Sequence, residues 1–243
     1  NTLKTKVSDF KEKLKEQNVS YSETSLPELI KLANETRLNT IYGYEEGLFY
    51  IQDLGAAMVS HILEPKENDF IIDLCAFPGG KTSHLSQLMN NTGKILAIDS
   101  SSKREKRFIE NIDRLGCNNI ETIIHLSEEP LNISEKADKI LVDAPCSGLG
   151  IIRRKPEIKY TKIKEDLIRL SKIQQNILLN ATMHLKDSGT IVYSTCTFST
   201  IENELNLKKF ISENHDFFIK EQKQFLTHKD HSDCFFIAKI EKK

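Results

Sequence analysis

Two cysteines in this 243-residue sequence stand where reactive side chains are expected, because each directly follows an apolar segment that predicts a β-strand. Cys146 comes shortly after a predicted strand at 140–142, and Cys196 comes after one at 190–193. Cysteine is more often a small buried hydrophobe, and we interpret Cys117 and Cys234 in that way. A thiolate, however, is a strong nucleophile that can bond covalently to a substrate. Two cysteines at one edge of a sheet therefore favour a catalytic role.

A glycine-containing turn follows the first predicted strand of this region, at residues 73–82, with the sequence DLCAFPGGKT. The adjacent Gly79 and Gly80 allow the backbone to approach a ligand closely. The helix that follows offers free N–H groups to an anionic group such as a carboxylate. The segment matches neither GxxxxGK[ST] nor GxGxxG. An ordinary strand-to-helix turn is the alternative, but cofactor binding is favoured.

Asp99 ends the next predicted strand, where an acid can accept hydrogen bonds from a ribose diol. A helix N-cap is the alternative, since a helix is predicted to begin nearby. Arg104 follows five residues later, and a solvated helix face accounts for it about as well.

Strands and helices alternate from residue 70 onward, which predicts an α/β fold with a mostly parallel sheet covered on both faces. The predicted strands are 70–72, 95–98, 120–124, 140–142 and 190–193, and the predicted helices are 81–89, 104–115, 164–185 and 201–211. Two final strands, 217–219 and 234–240, have no helix between them and predict an antiparallel pair at one edge. Ligands of such sheets bind beyond the carboxyl ends of the strands.

The first 63 residues differ from this pattern and predict a separate appendage, with residues 64–243 forming the catalytic domain. An amphipathic helix is predicted at 5–17, a short strand at 48–51 and a second helix at 56–63. The polar stretch 20–25 predicts a break between secondary-structure elements. The sequence begins at Asn1 rather than methionine, so we expect a fragment whose upstream part is missing.

The net charge of −1, from 34 Lys+Arg and 35 Asp+Glu, provides no global attraction to nucleic acid. A local basic cluster follows the Cys146 segment and is predicted to contact RNA phosphates, with a solvated loop as the alternative. The cluster consists of Arg153, Arg154, Lys155 and Lys159.

The five cysteines are widely spaced and odd in number, which argues against a disulfide framework. No Cys or His grouping has the spacing of a zinc site, since His228, His231 and Cys234 make only a weak pattern; no metal is predicted. No apolar run is long enough to span a membrane, and no secretion signal begins the chain. A cytoplasmic protein is therefore expected.

The segments DLCAFPGGKT, DAPCSG and STCT, in this order and at these separations, resemble the Nol/Nop/Sun family of RNA cytosine-5 methyltransferases, and within it the bacterial Sun/Fmu branch. The resemblance implies a Rossmann-like, seven-stranded methyltransferase sheet preceded by a small N-terminal α+β appendage that binds RNA. It also implies S-adenosylmethionine as cofactor and RNA, specifically small-subunit ribosomal RNA, as partner. Within that branch a helical domain would precede the present sequence.

The resemblance also implies roles for individual residues. Cys196 would be the nucleophile that attacks C6 of the cytosine, Cys146 would assist product release, and Asp143 and Lys81 would complete the catalytic group. The cofactor-binding residues would be Cys75, Ala76, Phe77, Pro78, Gly79, Gly80, Lys81, Asp99, Arg104 and Asp143. The sequence departs from the family pattern at Leu126, where an acid near the adenine is usual, and Glu128 is the nearby candidate to replace it.

Two other functions compete with this interpretation. A DNA cytosine-5 methyltransferase would use the cysteine of the PC segment and needs a large target-recognition region, for which the chain lacks room. A non-catalytic RNA-binding factor for ribosome assembly would not need both cysteines. The sequence does not fix the oligomeric state, and a monomer is the simpler expectation.

Overall fold

The computed structural model describes residues 1–33 and 41–243. Its helices are α1 (Val7–Glu16), α2 (Leu54–Leu63), α3 (Gly80–Leu88), α4 (Ser102–Leu115), α5 (Ile158–Thr161), α6 (Lys164–Met183), α7 (Glu204–Glu213) and α8 (Thr227–Asp230). Its strands are β1 (Tyr21–Glu23), β2 (Ile30–Leu32), β3 (Phe70–Asp73), β4 (Lys94–Asp99), β5 (Ile120–Ile124), β6 (Ala137–Asp143), β7 (Leu185–Thr195), β8 (Phe217–Phe225) and β9 (Phe235–Lys242).

The main sheet has seven strands within the described part of the chain, in the order β5-β4-β3-β6-β7-β9-β8. The strands from β5 to β7 are parallel, and β9 is antiparallel to both β7 and β8. The predicted α/β fold, including its antiparallel edge pair, is therefore confirmed. Every residue of β3 is buried, as expected of a parallel strand that is covered on both faces.

Helices cover both faces of the main sheet. Ile72 of β3 belongs to a core that includes Ile177 of α6 and Phe210 of α7. Its neighbour Ile71 belongs to the opposite core, which includes Val59 of α2 and Leu85 of α3. Successive strand residues point to opposite faces, so a single apolar run fills both cores.

The N-terminal segment, by which we mean the described residues among 1–63, has a small core of its own, in which Leu14, Ile41 and Phe49 are buried. The strand predicted at 48–51 is wrong, because this stretch is irregular. It is apolar because Phe49 fills the small core, while Tyr50 packs on the core around Phe108 in residues 64–243, the predicted catalytic unit. The polar stretch that predicted a break instead forms β1, which pairs with β2 in a hairpin.

The N-terminal segment continues into α2, which packs against α3, β7 and β9. The division of the chain at residue 63 stays a prediction, and residues 34–40 of the predicted appendage lie outside the described residues. Among the helices that the structure describes, none is both long and apolar enough to cross a membrane.

Candidate active site

The carboxyl ends of β3, β6 and β7 lie side by side in the main sheet and lead into the loops that carry the predicted catalytic residues. In the register of these strands, Asp73 pairs with Leu141, and Asp143 pairs with Ser194. The chain beyond β6 reaches Cys146 within three residues, and Cys196 directly follows β7. Parallel pairing therefore brings together cysteines that are 50 residues apart.

The two thiols are in direct contact, with 2.9 Å between the Sγ atoms of Cys146 and Cys196. The backbone N–H of Cys196 also donates to Cys146 Sγ at 3.3 Å. The hydrogen bond between the thiols lowers the pKa of Cys196. The same bond, together with burial, raises the pKa of Cys146 well above its usual value. Of the two cysteines, Cys196 is therefore the one whose thiolate is favoured.

A cation lies next to this pair. Lys81, the second residue of α3, donates from Nζ to Asp143 Oδ2 at 2.7 Å, and the Ser194 hydroxyl donates to Asp143 Oδ1 at 2.8 Å. Although burial opposes it, the charge of Asp143 raises the pKa of Lys81, so this side chain stays charged. The positive charge of Lys81 in turn favours the thiolate of Cys196 and offsets part of the opposing effects of burial and of the Asp143 charge.

The glycine turn after β3 contains a cis Phe77–Pro78 peptide, and Gly79 has a φ of 101°. A Cβ at Gly79 would lie 2.9 Å from the Phe108 ring, and one at Gly80 would lie 2.8 Å from the Tyr50 ring. Both glycines are thus required by the protein's own aromatic side chains. The sequence argument, which assigned them to close approach of a ligand, gave a different reason for them.

Asp99 is buried, and it fastens this turn to the end of β4. Its Oδ2 accepts from the Phe77 N–H at 3.1 Å, while its Oδ1 accepts from the Ser101 N–H at 2.9 Å and from Arg104 Nη2 at 2.8 Å. Arg104 also donates to the Phe77 carbonyl at 3.2 Å. An ionised carboxylate has about four acceptor positions. With three of them occupied, about one remains for a sugar hydroxyl.

These groups fit S-adenosylmethionine, which carries a carboxylate, an amino group and a ribose diol. Asp99 offers an acceptor for the diol, and the N-terminus of α3 offers N–H groups for the carboxylate. Cys75 lies in the same loop, where burial raises the pKa of its thiol, so it is not a reactive group. Leu126 is 47% exposed after β5, and Glu128 is half-buried nearby.

Asp73 is a buried acid that the sequence argument did not use. Its Oδ2 accepts from the Thr82 hydroxyl at 2.7 Å, while its Oδ1 has no hydrogen-bond partner within the described ranges. Burial raises the pKa of Asp73 to about 7. This unpaired oxygen gives the site a further acceptor at the carboxyl end of β3.

Glu202 is a second group that sequence reasoning missed. It is fully buried, and it accepts from the Ser147 N–H at 2.8 Å, the Ser147 hydroxyl at 2.5 Å and Gln174 Nε2 at 3.1 Å. Gln174 also donates to the Pro145 carbonyl at 2.9 Å. Glu202 therefore fixes both sides of Cys146. The only signal in the sequence was an acid six residues after Cys196, where a helix was predicted.

The predicted RNA-binding arginines are engaged in ion pairs. Arg153 and Arg154 both donate from Nε to the buried Asp233, and Arg154 Nη2 lies 3.1 Å from Asp53 Oδ2. The arginine side chains remain 47% and 54% exposed, so each keeps donors that face solvent. The other two members of the cluster, Lys155 and Lys159, are exposed.

One group of ligating side chains was not visible in the sequence. Glu28, His61 and His84 come from separate segments and bring their ligand atoms within 4.8 Å of one another. The sequence spacing had predicted no metal, because it could test only residues that are close along the chain.

Comparison with known proteins gives consistent matches. Residues 60–241 match the family model described as 16S rRNA methyltransferase RsmB/F. The chain is 35% identical over 267 residues to a probable ribosomal RNA small subunit methyltransferase B from Bacillus subtilis, covering 100% of this chain and 59% of that protein. It is 37% identical over 246 residues to a tRNA (cytosine(72)-C(5))-methyltransferase from Pyrococcus horikoshii, covering 96% of this chain and 61% of that protein.

Comparison with solved structures points to the same family. The crystal structure of NSun6 from Pyrococcus horikoshii with SFG, an analogue of S-adenosylmethionine, superposes with a TM-score of 0.80 at 35% identity, covering 88% of this chain and 59% of that one. The present chain thus spans about three fifths of the length of these relatives. Because the family model covers most of the sequence, the chain belongs to the 16S rRNA methyltransferase RsmB/F family.

Proposed function

We propose that this protein transfers a methyl group from S-adenosylmethionine to C5 of a cytosine in RNA, through a covalent bond between Cys196 and C6 of the base. The observation that carries the proposal is the contact between Cys146 and Cys196 beside the Lys81–Asp143 ion pair, at the carboxyl ends of β6 and β7. One thiolate, one protonated thiol, one cation and one carboxylate are thereby within reach of one bound base.

The chemistry of cytosine explains why a thiolate is needed. C5 is a poor nucleophile, but addition of the Cys196 thiolate to C6 makes C5 resemble an enamine carbon. The cofactor supplies the electrophilic methyl group that C5 then attacks. Loss of the C5 proton to a base restores the ring and breaks the bond between C6 and Cys196. Splitting a difficult substitution into addition and elimination is the general advantage of covalent catalysis.

The surrounding residues divide the remaining work. Lys81 stabilises the Cys196 thiolate and holds Asp143, whose carboxylate contacts the cofactor or N3 of the base. Cys146 contacts Cys196 and assists the elimination step that releases the product, in which the C5 proton passes to a base and the Cys196 thiolate leaves C6. The solvent-facing groups of Arg153, Arg154, Lys155 and Lys159 contact the phosphates beside the target base.

The RNA substrate is proposed to be small-subunit ribosomal RNA. The family model and the Bacillus subtilis relative carry names that specify this RNA, whereas the Pyrococcus horikoshii relative is named for tRNA. The assay therefore includes transcripts of both RNAs. Incorporation of label into tRNA alone would move the proposal to the second substrate without changing the chemistry.

The decisive test compares two cysteine variants with labelled S-adenosylmethionine. Cys196→Ser should abolish both methylation and the covalent protein–RNA adduct. Cys146→Ala should still form the bond through Cys196 but fail to resolve it, so that an adduct containing methylated cytosine survives denaturing electrophoresis. Cys234→Ser is the matched control, since a serine can keep the contact with Thr227 and should retain activity.

Two outcomes contradict the proposal. An adduct that persists in Cys196→Ser and disappears in Cys146→Ala would make Cys146 the nucleophile, as in DNA cytosine-5 methyltransferases. Neither adduct nor methylation on any RNA, also when the chain is joined to the upstream part of a relative, would favour a non-catalytic RNA-binding role in ribosome assembly.

A further inference from the structure

Two histidines converge on one carboxylate where the β1–β2 loop meets α2 and α3. Glu28 lies in the loop between β1 and β2, His61 lies in the last turn of α2, and His84 lies within α3. The Nε2 atoms of His61 and His84 lie 2.6 Å and 2.9 Å from the same oxygen, Glu28 Oε1. The two imidazole rings are edge to face, with centroids 5.3 Å apart.

The cluster is enclosed and its loop is held in place. The side chains of Glu28, His61 and His84 are 16%, 28% and 7% exposed. The Thr24 hydroxyl donates to the carbonyl of Leu29 at 2.9 Å, which closes the loop that presents Glu28. The folded chain therefore directs three ligand atoms from three separate segments toward one point, where they have little contact with solvent.

The atoms involved are those that a borderline divalent cation prefers. Zn²⁺ binds imidazole nitrogens and carboxylate oxygens at about 2.0–2.2 Å, commonly with three protein ligands and one open position. Ligand atoms around such a tetrahedral ion are roughly 3.3 Å apart. The separations of 2.6 Å and 2.9 Å are shorter than this by less than 1 Å, and the two histidine nitrogens lie within 4.8 Å of each other. Side-chain shifts of this order would make room for an ion.

We propose that Glu28, His61 and His84 form a binding site for a divalent cation of the zinc type. The ion would have an entry path, because Glu28 also lines a cleft of about 1030 Å³ between the N-terminal segment and the catalytic unit. Arg153 and Arg154 line the same cleft. A bound ion would fasten the β1–β2 loop to α2 and α3, and it would thereby hold one wall of this cleft in position.

The experiment titrates the full chain with Zn²⁺ by calorimetry and with Co²⁺ by visible absorption, which reports tetrahedral coordination. It uses the Cys146→Ser/Cys196→Ser protein, because thiolates also bind these ions. We expect one ion per chain and a higher melting temperature in its presence. His61→Ala should weaken binding by more than the roughly 10- to 100-fold that loss of an outer-shell partner costs.

Two further variants make the test specific. Glu28→Gln retains an oxygen that can accept a histidine N–H but removes the charge, so the protein should stay folded and lose affinity for the ion. His215→Ala removes an exposed histidine outside the cluster and should bind as before. Absence of stoichiometric binding, or binding that survives both Glu28→Gln and His61→Ala, would overturn the proposal and leave a hydrogen-bonded contact.

Discussion

At the residue scale, the pKa values of the two cysteines proposed as catalytic are shifted in opposite directions. The hydrogen bond from Cys146 stabilises a thiolate on Cys196, and Lys81 adds a positive charge. Cys146 lies near the negative charge of Glu202, and its pKa is raised by the contact with Cys196 and by burial. Lys81 thus favours the thiolate of Cys196, whereas Glu202 disfavours the thiolate of Cys146. Each cysteine can therefore serve a different step of the proposed reaction.

A pH-dependent alkylation experiment measures this difference. The rate at which iodoacetamide alkylates Cys196 should rise with pH and reach its midpoint below the ordinary pKa of a cysteine thiol. Cys146→Ala removes the donor that stabilises the thiolate, so the midpoint should move to higher pH. Peptide mass spectrometry assigns the label to Cys196. A midpoint that stays in place in the variant would contradict the proposed hydrogen bond.

Glu202 should act on catalysis through Cys146 alone. Glu202→Gln weakens the charge-assisted bonds to Ser147, so we expect a loss of about 1–3 kcal/mol in the free energy of unfolding. The turnover number should fall while the affinity for S-adenosylmethionine is kept. Denaturant unfolding measures the free energy of unfolding, the methylation assay measures the turnover number, and calorimetry measures the affinity for S-adenosylmethionine. Glu213→Gln on the exposed surface of α7 is the control and should change none of these quantities.

At the element scale, the sequence predicted every strand of the main sheet. Buried parallel strands such as β3 and β4 are runs of apolar residues, and the absence of a helical pattern between the last two strands indicated the antiparallel pair. The sequence missed β1 and β2, which have three residues each, so that the alternation of apolar and polar residues in β2 is too short to predict a strand. It also placed Cys146 and Cys196 at one edge without revealing their contact. That contact depends on how the loop after β6 turns, which no periodicity encodes.

Gly150 couples this loop to both neighbouring segments. Its N–H donates to the Cys196 carbonyl at 3.0 Å, and its carbonyl accepts from the Cys234 N–H at 3.1 Å. A Cβ would lie 2.1 Å from the Cys234 carbonyl oxygen. Gly150→Ala should therefore displace Cys146 from Cys196, abolish adduct formation and destabilise the protein by roughly 1–3 kcal/mol. Cofactor affinity should persist; retained adduct formation would refute the coupling.

A substitution in the contacts of the turn between β3 and α3 should impair cofactor binding rather than adduct formation. Asp99→Ala removes the acceptor for the Phe77 N–H and for Arg104, together with the position proposed for the ribose. S-adenosylmethionine should bind more weakly by roughly 1–3 kcal/mol, measured by calorimetry, while alkylation of Cys196 is unchanged. Unaltered affinity would remove Asp99 from the cofactor site.

At the scale of the whole molecule, a net charge of −1 means that attraction to RNA must be local. The arginines of the basic cluster also hold the protein together. Arg154 contacts Asp53 at the start of α2 and Asp233 near the C-terminus, 101 and 79 residues away in the sequence. Pairings over such distances leave no trace in local sequence patterns, so the sequence suggested either RNA contacts or a solvated loop and missed these ion pairs.

The two halves of the basic cluster should therefore differ when their charges are removed. Lys155→Gln/Lys159→Gln should reduce the slope of log affinity for RNA against log salt by about 1.4, the value for two contacts to a single strand. Its melting temperature should not change, because both side chains are exposed. Arg153→Gln/Arg154→Gln should reduce the slope and also lower the melting temperature, since Asp233 is left buried without a partner. Fluorescence anisotropy at several salt concentrations measures the slope. Equal slopes in all three proteins would mean that the cluster is a solvated loop and that RNA is bound elsewhere.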